Sequence, residues 1–224
     1  MKITLLGYGK MGRIIEKLAT ADGHEVTLRV DEANRPEIGP DDLRTSDVAI
    51  DFSRPDAATA NIRLALEAGI PVVVGTTGWL DELPAVRNAV TQQNGGLFYA
   101  SNFSIGVNLF FAAANYLAER MRNESYRVSI EETHHTEKLD APSGTALTLA
   151  EGVRTALGSN DVPISSLREN GVPGTHELTF ASQIDTISLR HTAHSREGFA
   201  RGALAAASWM VGRRGVYTMA DLLG

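Results

Sequence analysis

The sequence predicts an α/β protein in two parts, a parallel-sheet domain and a smaller α+β domain with a mixed sheet. Three observations carry that expectation. In the first hundred residues short apolar runs alternate with helical stretches, the order that builds parallel sheets. From Tyr126 onward apolar and polar residues alternate one by one, as in strands with a single covered face. Residues 197–212 then form a mostly apolar helix that needs a partner, and the N-terminal sheet is the obvious one. The first domain is therefore expected to be discontinuous, residues 1–105 with 197–224, around a second domain of residues 106–196.

The 224 residues include 43% hydrophobic and 21% charged side chains, ordinary globular values. A net charge of -6, with no basic cluster longer than Arg213-Arg214, argues against a nucleic-acid surface. The absence of cysteine excludes disulfides, thiolate metal sites and cysteine nucleophiles, and fits a reducing compartment. The apolar run from Ile3 to Leu6 has only a strand's length and stops at Gly7, so neither a signal peptide nor a membrane span is expected. A soluble, cytoplasmic protein is the reading.

Ile3 to Leu6 reads as a strand, Gly7-Tyr8-Gly9-Lys10-Met11-Gly12 as a glycine turn, and Arg13 to Ala19 as a helix. In that context Gly-x-Gly-x-x-Gly is a Rossmann-type signature: glycines allow the tight turn, and free N–H groups at the helix start hold a pyrophosphate. A strand from Glu25 to Val30 ends at Asp31, at the spacing where an acid hydrogen-bonds ribose hydroxyls. Val48 to Phe52 is a third strand and Pro55 to Ala68 a helix closed by Gly69. Val72-Val73-Val74 is a buried strand running into Gly75-Thr76-Thr77-Gly78. A helix from about Asp81 to Gln93 and a strand from Leu97 to Ala100 lead to Ser101-Asn102-Phe103-Ser104. Three polar loops thus follow strand C-termini, where open α/β sheets bind ligands.

The helix from Gly106 to about Met121 is apolar nearly all round and is expected to lie between layers. In the strand that begins at Tyr126, Val128, Ile130, Glu132 and His134 share the covered side. His134, His135 and Lys138 follow closely, then Ser143-Gly144-Thr145 and a helix from Ala146 to about Ala156. Histidine suits proton delivery near neutrality, and Lys138 adds a fixed positive charge. The N–H groups of Ser143, Gly144 and Thr145 form an anion site at the helix start. Two anion-binding groups suggest a dicarboxylate substrate, with hydride from a nicotinamide near Asn102-Phe103. Adjacent histidines on an extended segment point to opposite sides, so no metal site is expected. Short strands at about 164–167, 176–182 and 186–193 complete the mixed sheet.

Glu132-x-His134-His135-x-x-Lys138-x-Asp140-x-Pro142-Ser143-Gly144-Thr145-Ala146 resembles the 4-hydroxy-tetrahydrodipicolinate reductase (dihydrodipicolinate reductase) family. Asp51-Phe52-Ser53, Gly75-Thr76-Thr77-Gly78 and Asn102-Phe103-Ser104 recur in family order, so the resemblance covers essentially the whole chain. It implies reduction of a cyclic dicarboxylate by NADH or NADPH in the diaminopimelate and lysine pathway, by a homotetramer. By motif, His134 and Lys138 are catalytic, while His135, Ser143, Gly144 and Thr145 contact substrate. The cofactor-binding set implied is Gly7, Tyr8, Gly9, Lys10, Met11, Gly12, Asp31, Phe52, Gly75, Thr76, Thr77, Ala100, Ser101, Asn102 and Phe103.

Two departures from the family pattern stand out. Only about sixteen residues separate Asp31 from Val48, which trims the adenosine edge. Asp31 is followed by Glu32 where some relatives carry arginine, and two acids repel a 2′-phosphate, which favours NADH unless Arg35 swings in. Two other readings remain open: a dehydrogenase of an amino acid or its semialdehyde, and a nucleotide-sensing module without chemistry.

Overall fold

Short apolar strands with β-branched residues and glycine-closed helices fold into two sheets, and the computed structural model describes all of residues 1–224. The contacts divide the chain into two compact units, Met1–Ser104 with Phe199–Gly224, and Ile105–Gly198.

In the first unit the elements are β1 (Lys2–Leu6), α1 (Lys10–Ala21), β2 (Glu25–Val30), α2 (Pro40–Leu43), β3 (Val48–Asp51), α3 (Pro55–Ala68), β4 (Val72–Val74), α4 (Leu83–Gln92) and β5 (Gly96–Tyr99). The second unit carries α5 (Ile105–Met121), β6 (Arg127–His134), α6 (Gly144–Leu157), β7 (Ile164–Arg168), β8 (Gly174–Ala181) and β9 (Thr186–Ala193). The chain then returns to the first unit with α7 (Glu197–Met210), β10 (Gly215–Tyr217) and α8 (Met219–Leu223).

The first sheet has the order β10-β5-β4-β3-β1-β2, and every pair is parallel. Because side chains alternate across a strand, each strand feeds both faces. Ile3, Leu5, Ile50, Val73 and Phe98 pack with α1 and α7 on one side. Leu6, Ala49, Val72, Val74 and Leu97 pack with α3 and α4 on the other. Both faces are dry, which is why these strands read as continuous apolar runs. The α/β expectation holds.

The second sheet is mixed, with order β7-β6-β8-β9; β7 runs parallel to β6, and β8 and β9 are antiparallel to their neighbours. Ile130, Leu178 and Phe180 pack against α5 and α6. The α5 helix is not enclosed as its composition suggested. It buries one stripe, Val107, Phe110, Ala114, Ala118 and Met121, while Leu109 and Tyr116 are 51% and 62% exposed. One stripe at three- and four-residue spacing is what packing on a single layer requires.

Candidate active site

In the first unit, β1 ends at Gly7, whose φ of +96° and closeness to the next strand exclude other residues; a Cβ there would lie 2.3 Å from the Phe52 carbonyl oxygen. The Gly7 and Tyr8 N–H groups both donate to the Val30 carbonyl, at 2.8 and 2.9 Å, tying the turn to β2. A Cβ on Gly9 would meet nothing within 4 Å, so the start of α1 faces open space. The first-turn N–H groups of a helix have no partner within it and attract anions.

Beside this turn is a cleft of about 520 Å³ lined by Gly7, Tyr8, Gly9, Asp31, Phe52 and Arg35 among others. A second cleft of about 430 Å³ is lined by Lys10, Met11, Phe52, Gly75, Thr76 and Thr77. Open space at a helix start, a cleft beyond it and an acid at the end of β2 fit a dinucleotide. Gly12 has a packing role, because a Cβ there would lie 2.6 Å from the Gly7 carbonyl oxygen. After β5, Ala100 and Asn102 are half-buried and Ser101 is exposed, while the Phe103 ring is core, 5.7 Å from Phe52 and 5.8 Å from Phe98. Phe103 therefore offers a ligand its backbone rather than its ring.

Several supporting residues escaped the sequence reading. Asp51, fully buried, accepts hydrogen bonds from the Thr76 hydroxyl, from Asn61 Nδ2 at 2.7 Å and from Ser53 Oγ at 2.9 Å. Burial pushes its carboxyl up, against the pull of those donors. It ties the end of β3 to the loop after β4. Asp31 Oδ1 accepts from the N–H groups of Ala33 and Asn34, so one oxygen fixes its own turn. Arg54 pairs with Glu32 at 3.1 Å and Asp56 at 3.0 Å, and Arg35 Nε donates to Asn61 at 2.7 Å. Such pairings depend on tertiary proximity, and only the aspartate-phenylalanine-serine motif hinted at them.

In the second unit, alternation along β6 places Glu132 and His134 on the covered face, Glu132 at 0% and His134 at 7% exposure. His176 lies opposite Glu132 in the antiparallel register with β8 and is also buried. His134 Nδ1 is 3.0 Å from Glu132 Oε2, and His176 Nε2 is 3.8 Å from the same oxygen. The ring N–H of His134 is not aligned on that oxygen, so the contact is a close approach rather than a formed hydrogen bond, and neither atom bonds elsewhere. Glu132 Oε1 accepts from the Ser143 N–H at 3.1 Å and from Arg168 Nη2 at 3.3 Å.

Burial pushes the His134 ring below its usual range, opposed by the Glu132 charge and reinforced by Lys138 and Arg168. Burial, with help from the charge on His134, brings His176 down to about 4. Burial alone would raise Glu132, but hydrogen bonding from Ser143 and Ser166 and then the His134 charge hold it below the ordinary carboxylate range. Lys138 Nζ lies 2.8 Å from Asp140 Oδ1, and this hydrogen bond holds the Asp140 carboxyl low. The His135 ring is half-buried.

The helix start at α6 differs from the expectation in one respect. Ser143 is 1% exposed, its N–H is spent on Glu132 and its Oγ caps the Ala146 N–H at 3.1 Å. It builds the site from behind, and the face toward solvent belongs to Gly144 and Thr145, exposed and half-buried. Glu132, His134 and His176 bring potential metal-binding atoms within 4.8 Å of one another. The guanidinium of Arg168 already balances the carboxylate and would repel a cation.

Residues 1–103 match the family profile described as dihydrodipicolinate reductase, N-terminus, and residues 106–223 the profile for its C-terminus. The chain belongs to the dihydrodipicolinate reductase family. A 4-hydroxy-tetrahydrodipicolinate reductase of Christiangramia forsetii is 44% identical over 237 positions, covering 100% of this chain and 98% of that protein. The enzyme of the same name from Chromobacterium violaceum is 34% identical, covering 96% and 95%. Among solved structures, a dipicolinate-bound dihydrodipicolinate reductase from a Paenisporosarcina species superposes with a TM-score of 0.86 at 22% identity, over 99% of this chain and 98% of that one. Family membership makes the chain an NAD(P)H-dependent oxidoreductase and sets the dehydrogenase of an amino acid and the sensing module aside.

Proposed function

We propose that the chain reduces 4-hydroxy-tetrahydrodipicolinate to tetrahydrodipicolinate, with loss of water, and that His134 supplies the proton. The observation that carries the acid assignment is a buried imidazole at the end of β6 whose Nδ1 faces a buried carboxylate, which leaves Nε2 for the substrate. A bound nicotinamide cofactor supplies the hydride. The chain's own residues then have separable tasks. Lys10 and Met11 N–H groups hold the pyrophosphate at the start of α1, and Asp31 binds ribose. Phe52, Gly75, Thr76, Thr77 and the Ala100–Phe103 backbone line the remaining path. Lys138, steadied by Asp140, meets developing negative charge, while His135, Gly144 and Thr145 hold a substrate carboxylate.

The cofactor is NADH in preference to NADPH. Asp31 and Glu32 repel a 2′-phosphate, and both arginines nearby are engaged, Arg54 by Glu32 and Asp56 and Arg35 by Asn61. Assembly as a homotetramer and a cytoplasmic location follow the family resemblance; no helix is long and apolar enough to cross a membrane.

The test is a turnover assay of the cyclic substrate with each cofactor, on the natural chain and on His134→Gln. The variant should lose about 10²-fold or more in turnover while binding nucleotide as before. Undiminished turnover would remove His134 as the acid, and equal kcat/KM with both cofactors would remove the NADH preference.

A further inference from the structure

We propose that Glu132 is a positioning residue that sets the orientation of the His134 ring and, through its other oxygen, the start of α6, a role that presupposes His134 as the proton donor. Four observations converge on it. Glu132 and His134 are two apart on one strand, so their side chains stand side by side. Glu132 Oε2 and His134 Nδ1 are both buried and lie 3.0 Å apart without an aligned hydrogen bond, the buried Ser166 hydroxyl on β7 being the other group beside the carboxylate, so rotation of the ring toward Glu132 would satisfy both atoms. Glu132 Oε1 takes the Ser143 N–H at 3.1 Å, which fixes the turn that presents Gly144 and Thr145. The opposite ring edge of His134 meets Gly174, where a Cβ would lie 3.1 Å from Nε2. A glycine at that place keeps the second nitrogen uncovered.

Arg168 extends the arrangement. It donates to Glu132 Oε1 at 3.3 Å, to the Lys138 carbonyl at 3.2 Å and to the Asp140 carbonyl at 2.6 Å. A single buried carboxylate, with its arginine, thus touches the proton donor, the anion-binding turn and the backbone that carries Lys138. The expected ring state has the proton on Nδ1, toward Glu132, and Nε2 as the exchanging atom. The groups facing His134 from every side are Glu132 on β6, Lys138 and Asp140 on the following loop, Arg168 on β7 and His176 on β8. Removal of the Glu132 charge leaves two permanent cations against the ring and only Asp140 to offset them.

Glu132→Gln keeps an oxygen for the Ser143 N–H and removes the charge. Its kcat should fall on the order of 10²-fold with a much smaller change in KM, and the alkaline limb of kcat/KM should move to lower pH. Glu132→Asp, which keeps the charge at a longer distance, should restore the limb toward its original position. A purely structural carboxylate would lower activity without moving the limb. Nitrogen NMR of the unaltered protein, with labelled histidine assigned through His134→Gln, should show His134 in the Nδ1–H form when neutral. An unmoved limb in an active Glu132→Gln overturns the proposal, and so does an Nε2–H form in the unaltered protein, a result that holds even if the variant is poorly folded or inactive. Wild-type turnover in His134→Gln would instead overturn the acid assignment itself, so the two failures are distinguishable.

Discussion

Two histidines that share one carboxylate neighbour are both pushed below the usual imidazole range by the same cause, removal from water, but they differ in how they are held. His176 is enclosed between Glu132 and Ser143, with Nε2 3.3 Å from the Ser143 hydroxyl, and its pKa is near 4. The consequence for stability has a definite sign. An unfolded histidine takes up a proton near pH 6.5, whereas the folded one resists down to about pH 4. The unfolded state therefore binds more protons in that window, and stability falls as pH drops from 6.5 to 4, by on the order of 3 kcal/mol from this group. Urea unfolding at several pH values checks this: His176→Asn should flatten the slope, and an unchanged slope would exclude His176 as its source. At this scale the capacity of His134 for proton transfer and of Lys138 for positive charge was legible from residue type alone. The task of Ser143 was not, since nothing local shows that its N–H is taken by a residue eleven positions earlier.

Among the elements, α7 closes one face of the first sheet. It buries Ala200, Gly202, Ala203, Leu204, Ala206, Ala207 and Met210, a face of small residues that brings the helix close to the sheet. Gly202 is the tightest point, because a Cβ there would sit 1.7 Å from the Phe103 carbonyl oxygen. Gly202→Ala forces the helix and the Ala100–Phe103 loop apart, at a cost of about 1–3 kcal/mol or more. A lower melting temperature and weaker NADH binding by fluorescence titration are expected; unchanged affinity would show that the loop does not depend on α7. Strand periodicity located β1 to β9 closely, and Pro55 and Gly69 marked the ends of α3. Two features were hidden. The connection before β3 contains a 3-10 turn at Arg35–Glu37 and the four-residue α2, too short for any periodic signal. The three residues of β10 gain their strand character only from pairing with Gly96, Leu97 and Phe98, more than a hundred positions earlier.

At the scale of the whole molecule, the second unit is continuous in sequence and has its own core, whereas the first is assembled from both ends of the chain. Leu204 and Met210 alone bury apolar area worth about 3–6 kcal/mol, a large share of the 5–15 kcal/mol that holds a typical domain. Deleting residues 199–224 should therefore abolish cooperative unfolding of the first unit and its nucleotide binding. Hydrogen exchange should still find protected amides in β6 and β8, and loss of that protection would show that the second unit depends on the first. The two-part plan was readable because the pattern of apolar residues changes from continuous runs to alternation near Tyr126, and because an apolar helix late in the chain lacked a nearby partner.

That interruption also sets a schedule for synthesis. The sheet strands β1 to β5 leave the ribosome first, yet the helix that covers Ile3, Leu5, Val73 and Phe98 follows only after residues 105–198 have been made. At roughly 5–20 residues per second, the nascent chain holds an uncovered apolar face for about 5–20 seconds. During that interval the inserted unit has time to fold, and the unfinished face is a surface for chaperones to shield.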